Sequence, residues 1–570
     1  MTNKDIINIF KLTSKILELH DANPFKVRAF TSIVFTIENT SVNLNELTEE
    51  QLLDVDGIKK GMASKIKEIC DTGSFTELNE LLADTPAGVI EMLDIKGIGP
   101  KKIKILWREL GIVDTKTLLK ACQDDEISKV KGFGAKTQTT IIEGLLFAEE
   151  QIGKYRYADI IDFAETFKKT ISNLSTVESI ALTGQVARCL EIVDILQVTL
   201  STKNFTATSA EIASIDNLNI DEKNSGPFVV RGNTIEPEVN FEIKLTTSEA
   251  FERESLVNAS SPAHLAFSPD GNDSLLKSFR KETGKNATEL YQAVNMHFMP
   301  PEVREGQLES KYLLSETPPE LLKFEDLKGS LHNHCTYSDG KNTLEEMAVH
   351  CRDLGYEYLG ISDHSVTAFY ASGLNEDRVA QQQKEIDELN IKLAPFKIFK
   401  GIESDILADG SLDYSNEVLD SFDFIVSSIH ANLNMDIEKA TTRLLKAVEN
   451  PYTTILGHMT GRLLLKRDGY PIDHKMVIDA CAANNVIIEI NASPWRLDID
   501  WRYIDYALSK GVMLSINPDA HEVRGYGDMY FGTLAGRKGG LTKDMTLNTM
   551  SLEEITTYFE KRKSGVAITA

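Results

Sequence analysis

Short apolar runs that each end in a histidine or an acidic residue recur through the C-terminal part of the chain. Runs of this length, rich in Val, Ile and Leu, are typical of buried parallel strands. The carboxyl ends of the strands in a parallel barrel open into one shared mouth, so the polar residues that close the runs are predicted to converge there. The runs are YEYLGISDH (356–364), FKIFKGIE (396–403), FIVSSIH (424–430), TTILGH (453–458) and VMLSINPDAH (512–521).

Nine side chains in or near these runs carry the strongest chemical signal of the chain. Imidazole nitrogen and carboxylate oxygen suit divalent ions, and nine ligands are too many for one ion, so we predict two or three ions. A lone histidine at a strand end is more often a hydrogen-bonded polar residue, but six of the 11 histidines follow this one pattern. The predicted ligands are His332, His334, Asp339, His364, Glu403, His430, His458, Asp519 and His521.

The helical N-terminal region contains three copies of a helix, a tight glycine turn and a second helix. They read LLDVDGIKKGMASKIKEI, MLDIKGIGPKKIKILWREL and ISKVKGFGAKTQTTIIEGL. The second copy is the best formed, whereas the first has Lys59 where the second glycine is usual. The turn glycines are Gly57 in the first copy, Gly97 and Gly99 in the second, and Gly132 and Gly134 in the third.

These copies resemble helix-hairpin-helix motifs, which contact a nucleic-acid backbone. Glycine lets the chain turn tightly and approach a phosphate, and the amides at the next helix N-terminus hold the anion. Lys101, Lys102 and Lys104 in the second copy and Lys136 in the third add positive charge. Such contacts carry no sequence preference, so we expect sequence-independent binding of DNA. The alternative is a helical scaffold that uses the hairpins for packing alone.

The middle of the chain has a mixed α/β pattern and is followed by a Pro- and Glu-rich connector. Its strand candidates are SIALTG (179–184), EIVDILQVTL (191–200), FVVRG (228–232) and VNFEIKL (239–245). We therefore expect a multidomain α plus α/β protein. The predicted domains are 1–85 with the first hairpin, 86–150 with the other two, 151–300 as a small α/β core, 301–327 as a linker and 328–570 as the histidine-rich barrel.

Composition indicates the class of protein and its cellular location. The 570 residues include 42% hydrophobic and 26% charged residues, which is ordinary for a globular protein. We expect no membrane span and no signal peptide, since no long apolar run occurs. The six cysteines form no CxxC pair, which favours reduced thiols and a cytoplasmic location. The net charge of −25 is mild evidence against tight DNA binding, unless the acidic groups lie away from a basic surface.

The order of these parts resembles the bacterial family X DNA polymerases that carry a C-terminal PHP domain. The resemblance covers nearly the whole chain and is strongest in GSLHNHCTYSDGKNTLEEMA (329–348), ISDHS, GIESDIL, GHMTGRLLLKRDGYPID, NASPWRLD and SINPDAH. It implies a distorted (β/α)7 barrel with two or three metal ions, manganese or zinc with magnesium as an alternative, held by the nine residues above. Asp363 is expected to orient neighbouring ligands, and Arg462, Lys466 and Arg496 to bind substrate phosphates.

The polymerase part of the resemblance is degenerate. The family holds two metal ions with a D-x-D pair on one strand and a third aspartate on a neighbouring strand, after a GS-x-RR segment. In LTGQVARCLEIVDILQ (182–197), Gly184 and Arg188 remain, and Asp194 stands alone. Asn240 lies where the third aspartate is expected. Because losing one such partner costs roughly 100- to 1000-fold in rate, we expect polymerisation and dNTP binding to be lost unless Glu191 or Glu242 substitutes.

The resemblance implies a manganese-dependent 3′-5′ exonuclease or 3′-end phosphoesterase of DNA repair. Its substrate would be gapped or 3′-ended DNA, at the nucleoid of a bacterial cytoplasm. One alternative is a gap-filling polymerase with a PHP proofreading nuclease, and another is a small-molecule phosphatase of the histidinol-phosphatase type. A non-enzymatic protein that binds DNA ends is the fourth hypothesis. Lys65, after the first hairpin, is the expected position of a Schiff-base lysine if the chain also has lyase activity.

Overall fold

The computed structural model describes residues 1–38, 40, 42–95 and 97–564, which form two compact units that divide between Ile152 and Gly153. The fold class agrees with the prediction of a helical hairpin region, a mixed α/β region and a parallel barrel. No helix in these described ranges is long and apolar enough to cross a membrane.

The first unit is helical, and its helices enclose one apolar core. The core is built from buried Ile, Leu and Phe side chains, such as Phe10, Phe30 and Phe75. The helices are α1 (Asn3–Leu19), α2 (Pro24–Glu38), α3 (Glu49–Leu52), α4 (Lys60–Thr72), α5 (Thr76–Ala83), α6 (Ala87–Glu91), α7 (Pro100–Arg108), α8 (Thr115–Gln123) and α9 (Ala135–Gln151).

The second unit begins with an α/β region built on a five-stranded sheet in the order β2-β4-β7-β6-β5. The predicted run 191–200 is broken at Asp194, because β3 ends before it and β4 begins after it. The strands are β1 (Tyr155–Arg156), β2 (Val177–Thr183), β3 (Ile192–Val193), β4 (Ile195–Thr202), β5 (Leu218–Ile220), β6 (Val229–Thr234) and β7 (Asn240–Thr246). The helices are α10 (Tyr157–Ser172), α11 (Gly184–Ala187), α12 (Phe205–Ala213), α13 (Phe251–Asn258), α14 (Pro262–Ala266), α15 (Leu275–Lys281) and α16 (Ala287–Gln292).

The barrel consists of seven parallel strands in sequence order, and its two edge strands approach each other through a bridge between Asn333 and Ala520. Its strands are buried on both faces, as the apolar runs predict. They are β8 (Gly329–Ser330), β9 (Tyr358–Ile361), β10 (Lys397–Asp405), β11 (Phe424–Ser428), β12 (Ile455–Leu456), β13 (Ile487–Asn491) and β14 (Leu514–Asn517). The outer helices are α17 (Leu344–Asp353), α18 (Glu376–Leu393), α19 (Asn416–Leu419), α20 (Ile437–Val448), α21 (His474–Asn484), α22 (Ile504–Ser509), α23 (Met529–Lys538) and α24 (Leu552–Lys563).

Candidate metal centre

Glu403, on β10, lies at the middle of the histidine cluster. Its carboxylate is within 4 Å of five of the six predicted imidazoles, although the side chain is only 1% exposed. A single carboxylate shared by so many ring nitrogens is the arrangement of a ligand that bridges metal ions. The nitrogen–oxygen distances are 3.3 Å to His332, 3.7 Å to His334, 2.9 Å to His364, 3.2 Å to His430 and 3.0 Å to His458.

The other two predicted carboxylates complete the cluster on the solvent side. Asp519 Oδ1 lies 3.1 Å from His334 Nε2 and 3.5 Å from His332 Nε2. Asp339 Oδ1 lies 3.3 Å from His521 Nε2 and is 36% exposed, so this edge of the cluster is open to solvent. The structure thus brings all nine predicted side chains together, and they lie on or just after six of the seven barrel strands.

The donor set fits divalent cations. Three overlapping groups can place their ligand atoms within 4.8 Å of one another: His334, Asp339, His364 and His521; His332, His334 and Asp519; and His364, Glu403 and His430. Several buried ring nitrogens, including both of His334 and Nε2 of His332, have no hydrogen-bond partner in the described part of the chain. Buried polar atoms are rarely left unpaired, so these nitrogens are fitted to coordinate an ion.

The protein itself separates the charge states of the imidazoles. Burial, together with the neighbouring His521 and His364, lowers the pKa of His334 to about 3. Burial opposes protonation of His430 as well, but Glu403 and Asp405 outweigh it and raise the pKa of His430 to about 10. The protein groups alone therefore favour a neutral ring at His334 and a cationic ring at His430, and cations bound there would take over the charge balance.

Two buried carboxylates that sequence reasoning missed orient the ligands from behind. Asp405 Oδ1 lies 2.5 Å from His430 Nδ1, and Glu489 Oε1 lies 2.6 Å from His332 Nδ1. A carboxylate on the outer nitrogen fixes the ring and leaves Nε2 to face the metal. Glu489 is a lone acid inside the apolar strand IIEIN, and that contrast is a signal that the sequence contained.

Asp363, predicted to orient neighbouring ligands, is hydrogen-bonded to the loop that follows His334. Asp363 accepts hydrogen bonds from Cys335 N (2.9 Å), Ser338 N (3.1 Å) and Gln382 Nε2 (2.6 Å), so it holds the loop between His334 and Asp339. Its oxygens bind this loop and α18, and no contact with the His364 ring is among the described hydrogen bonds.

Of the two arginines predicted to bind phosphate, one lies at the metal centre and the other does not. Arg496 Nε lies 3.7 Å from Asp519 Oδ2, at the centre itself. Arg462 instead pairs with Asp500 at 2.6 Å and donates to the backbone carbonyl oxygens of Arg496 and Leu497. Arg462 therefore braces the loop that carries Arg496, and this contact set occupies its guanidinium with protein groups.

The three predicted hairpins share one backbone geometry. Gly57, Gly97 and Gly132 have φ of 85°, 89° and 92°, a left-handed conformation that favours glycine. The helices that follow start behind Lys59, Gly99 and Gly134, and none of the three has a side-chain cap hydrogen bond. Their first amides are therefore free to bind an anion.

The predicted lysines of the hairpins are not equivalent. Lys101 and Lys136 are exposed, and Lys102 is half-buried beside Phe133. Lys104 pairs with Asp21 at 2.8 Å, so its charge is partly neutralised. Lys65, the predicted Schiff-base lysine, lies 2.6 Å from Glu77, which also pairs with a second lysine. The Nζ that a Schiff-base lysine would need is therefore engaged by a carboxylate.

The residues predicted for the degenerate polymerase site do not meet. Asp194 precedes β4, and the β4 residue in register with Glu242 is Gln197, whose Nε2 donates to Glu242 Oε1 at 3.1 Å. Asn240 is exposed at the start of β7, in register with Ile195. Gly184 has φ of 63°, and a Cβ there would lie 1.8 Å from Gln197 Oε1, so the amide fills the space beside the glycine.

Ion pairs engage Arg188, Glu191 and Glu242. Arg188 Nε lies 2.9 Å from Glu305, which also binds Lys538 at 2.6 Å. Glu191 accepts from Trp501 Nε1 at 3.0 Å and pairs with Arg502 at 2.8 Å. Glu242 pairs with Arg231 at 2.7 Å. Among the described residues, none of the groups that could hold a metal lies in this α/β region.

Comparison with known proteins agrees with this architecture. Family models match at residues 1–75 (helix-hairpin-helix domain), 89–145 (SAM-like helix-hairpin-helix tandem) and 330–493 (PHP domain). The DNA polymerase/3′-5′ exonuclease PolX of Bacillus subtilis (strain 168) is 32% identical over 98% of this chain and 100% of its own length. Probable phosphatases of Thermoanaerobacter sp. (strain X514) and Clostridium acetobutylicum are 29% and 31% identical over 31% and 34% of this chain, and 76% and 78% of their own lengths.

The phosphatases thus match a part of the chain, whereas the Bacillus protein matches it from end to end. The alignment with the Bacillus protein therefore spans the hairpins, the α/β region and the barrel of this chain. This chain therefore belongs to the bacterial family X DNA polymerases that carry a PHP domain.

Proposed function

We propose that this phosphoester-hydrolysing enzyme removes nucleotides or blocking groups from DNA 3′ ends in repair, with two or three manganese or zinc ions. The observation that carries the proposal is the convergence of six imidazoles on Glu403, Asp519 and Asp339 in one buried cluster with a solvent-exposed edge. The Bacillus relative is a DNA polymerase/3′-5′ exonuclease, which supports the choice of DNA as substrate.

The protein residues position the reacting groups. Divalent ions bound here would lower the pKa of a water molecule and neutralise charge on phosphoryl oxygens. Asp339 and His521 stand at the exposed edge, where a phosphodiester would enter. Arg496 is 18% exposed beside Asp519, and its guanidinium can donate to a non-bridging phosphate oxygen. Glu489 and Asp405 keep the rings of His332 and His430 in place during the reaction.

The other regions would divide the remaining work. We assign residues 1–150 to sequence-independent DNA binding, through the free helix N-termini and the exposed Lys101 and Lys136. Residues 301–327 would serve as a linker to the nuclease at 328–570. A chromosomal substrate would place this work at the nucleoid.

Residues 151–300 would act as a scaffold that has lost polymerase activity. Two-metal catalysis needs several carboxylates free to face the ions. Glu191 and Glu242 are engaged by Arg502 and Arg231, Gln197 lies where a carboxylate partner of Glu242 would be, and Arg188 is 12% exposed within an ion-pair network. The carboxylates that could replace the lost aspartates are thus already neutralised by the protein.

The proposal is tested with the ligand variants His332→Ala and His334→Ala on 5′-labelled single-stranded DNA with Mn²⁺. Each should lower the shortening rate by roughly 100-fold or more. The matched control is His350→Ala, on α17 outside the cluster, which should retain the wild-type rate. Wild-type rates in the ligand variants would contradict the assignment, and hydrolysis of small phosphate esters alone would favour a phosphatase.

A further inference from the structure

Two large aromatic side chains project into solvent from the turn that follows the ligand His364. Phe369 is 82% exposed and Tyr370 is 70% exposed, whereas the flanking Ala368 and Ala371 are buried. Large exposed aromatic residues that lie side by side, next to a functional site, commonly mark a binding surface. We call Phe369 and Tyr370 the aromatic pair.

The turn that carries the aromatic pair is anchored to the metal centre. Ser365 N donates to Glu403 O at 3.0 Å, and Leu374 N donates to His364 O at 2.8 Å. Thr367 N and Oγ1 donate to Asp413 Oδ2 at 2.7 and 2.8 Å. Because both ends of the turn hydrogen-bond to ligand residues, the rings are held at a fixed distance from the cluster.

Tyr370 lies at the rim of the metal centre. Its ring centroid is 6.1 Å from that of His364. Partial desolvation raises the pKa of Tyr370, and the carboxylates of Asp405, Glu403 and Asp339 add to this, so the hydroxyl lies in the field of the cluster. Phe369, the preceding residue, presents a second exposed ring on the same turn.

Cations are available near the metal centre for a backbone that passes it. Arg496 lies at Asp519, and Lys466 Nζ lies 4.0 Å above the ring of Trp495, the residue before Arg496. In the described ranges, no ion pair engages Lys466, whereas its neighbour Arg467 donates Nε and Nη2 to Gly461 O at 3.2 and 2.6 Å. In a chain with a net charge of −25, a lysine without an acidic partner near Arg496 is suited to phosphate.

We propose that the aromatic pair stacks on the unpaired base at the 3′ end of single-stranded DNA and so selects frayed or single-stranded ends for the metal centre. The inference rests on the proposed function. A base in a duplex has its faces covered by its neighbours, so an aromatic platform can engage a terminal base fully only after that base is unpaired. Base–aromatic stacking is independent of sequence, in agreement with an enzyme that processes any end.

The platform is tested by fluorescence with the full-length protein. The probes are two single-stranded oligonucleotides with 2-aminopurine at the 3′ or the 5′ terminus and a phosphorothioate as the last 3′ linkage. The wild type should change the fluorescence of the 3′ probe, and Phe369→Ala and Tyr370→Ala should each reduce that change, while Tyr370→Phe keeps it. The matched control is Phe228→Ala, an exposed aromatic residue (64%) in the α/β region, which should behave as the wild type.

A kinetic readout separates stacking from a structural defect. Loss of stacking should raise KM for single-stranded DNA by about 5- to 100-fold with little change in kcat. An undiminished 3′ response in Phe369→Ala and Tyr370→Ala, or a fall in kcat with unchanged KM, would overturn the proposal. Equal responses of the 3′ and 5′ probes would also overturn it. A wild type that binds the 3′ probe in this way but shortens no DNA would contradict the proposed function and leave the platform supported.

Discussion

Replacing Glu489 with Gln should weaken the hold of the metal centre on its ions. Glu489 is fully buried and accepts four hydrogen bonds: Oε1 from His332 Nδ1 (2.6 Å) and Asn517 Nδ2 (3.1 Å), and Oε2 from His458 N (2.8 Å) and Asn491 Nδ2 (3.3 Å). A glutamine has one acceptor oxygen and one NH2 group, so in either orientation two of these donors face another donor.

The size of the effect follows from this count. A buried group left unsatisfied costs about 1–3 kcal/mol, and loss of a carboxylate behind a metal-bound histidine typically lowers metal affinity about 10- to 100-fold. A 10- to 100-fold change corresponds to about 1.4–2.7 kcal/mol, which lies within that range. Depending on the orientation of the amide, either the His332 ring or the backbone N–H of His458 loses its acceptor, so the inner side of the cluster is affected in both cases.

The assay is the dependence of DNA shortening on Mn²⁺ concentration. Glu489→Gln should move the midpoint to about 10- to 100-fold higher metal, with activity recovering at excess Mn²⁺. The control is Glu309→Gln, because Glu309 is also buried and lies 2.7 Å from a histidine, His264, outside the metal centre. Its midpoint should equal that of the wild type. A Glu489→Gln midpoint that matches the wild type would refute the orienting role.

Three further outcomes are expected. Replacing both Lys101 and Lys102 by Ala should lower the slope of log affinity against log salt for duplex DNA by about 1.8, whereas Lys384→Ala should not; an unchanged slope would exclude the second hairpin as a phosphate clamp. Burial raises the pKa of Asp528 to about 6 from 3.8, so its stabilising contribution is complete below the unfolded value and is lost as pH rises through about 6. Asp528→Asn should therefore increase the free energy of unfolding at about pH 8 by up to about 3 kcal/mol, and raise Tm, with a difference from the wild type that shrinks towards about pH 4. Equal Tm values of variant and wild type at about pH 8 would contradict this. A chelator should lower Tm and abolish hydrolysis, and Mn²⁺ should restore both, because bound ions stabilise only the folded state; a chelator-insensitive Tm would contradict a bound structural cation.

The ligands could be read from the sequence because the fold and the chemistry use the same positions. A parallel strand is an apolar run, and a polar residue that closes such a run is expected to face the mouth, so Glu403 and His458 could be predicted from the sequence pattern alone. Glu489 was missed because it lies in the middle of β13, and Asp405 was missed because β10 extends two residues beyond Glu403; each contacts the outer nitrogen of a histidine ring. Their role depends on which ring nitrogen they reach, which only three-dimensional distances give.

In the α/β region, the hydrophobic pattern of the sequence did not predict the strand break at Asp194 or the strand register. A continuous apolar run predicted one strand over 191–200, but the chain breaks at Asp194, and a one-residue change of register turns a side chain to the other face. The neighbour of Glu242 is thus Gln197. Likewise, the sequence pattern does not distinguish Arg462 from Arg496, because both follow apolar runs. Only their contacts separate them: Arg462 pairs with Asp500, whereas Arg496 lies beside Asp519.

One experiment tests both the phosphoester hydrolysis by the barrel and the loss of polymerase activity that we propose for the α/β region. The purified protein with Mn²⁺ is incubated with a 5′-labelled primer in a one-nucleotide gap, with and without dNTPs, and the products are separated on a denaturing gel. We predict products shorter than the primer in both lanes and none longer. A longer product that appears with dNTPs, or a primer that stays intact in both lanes, would contradict the account.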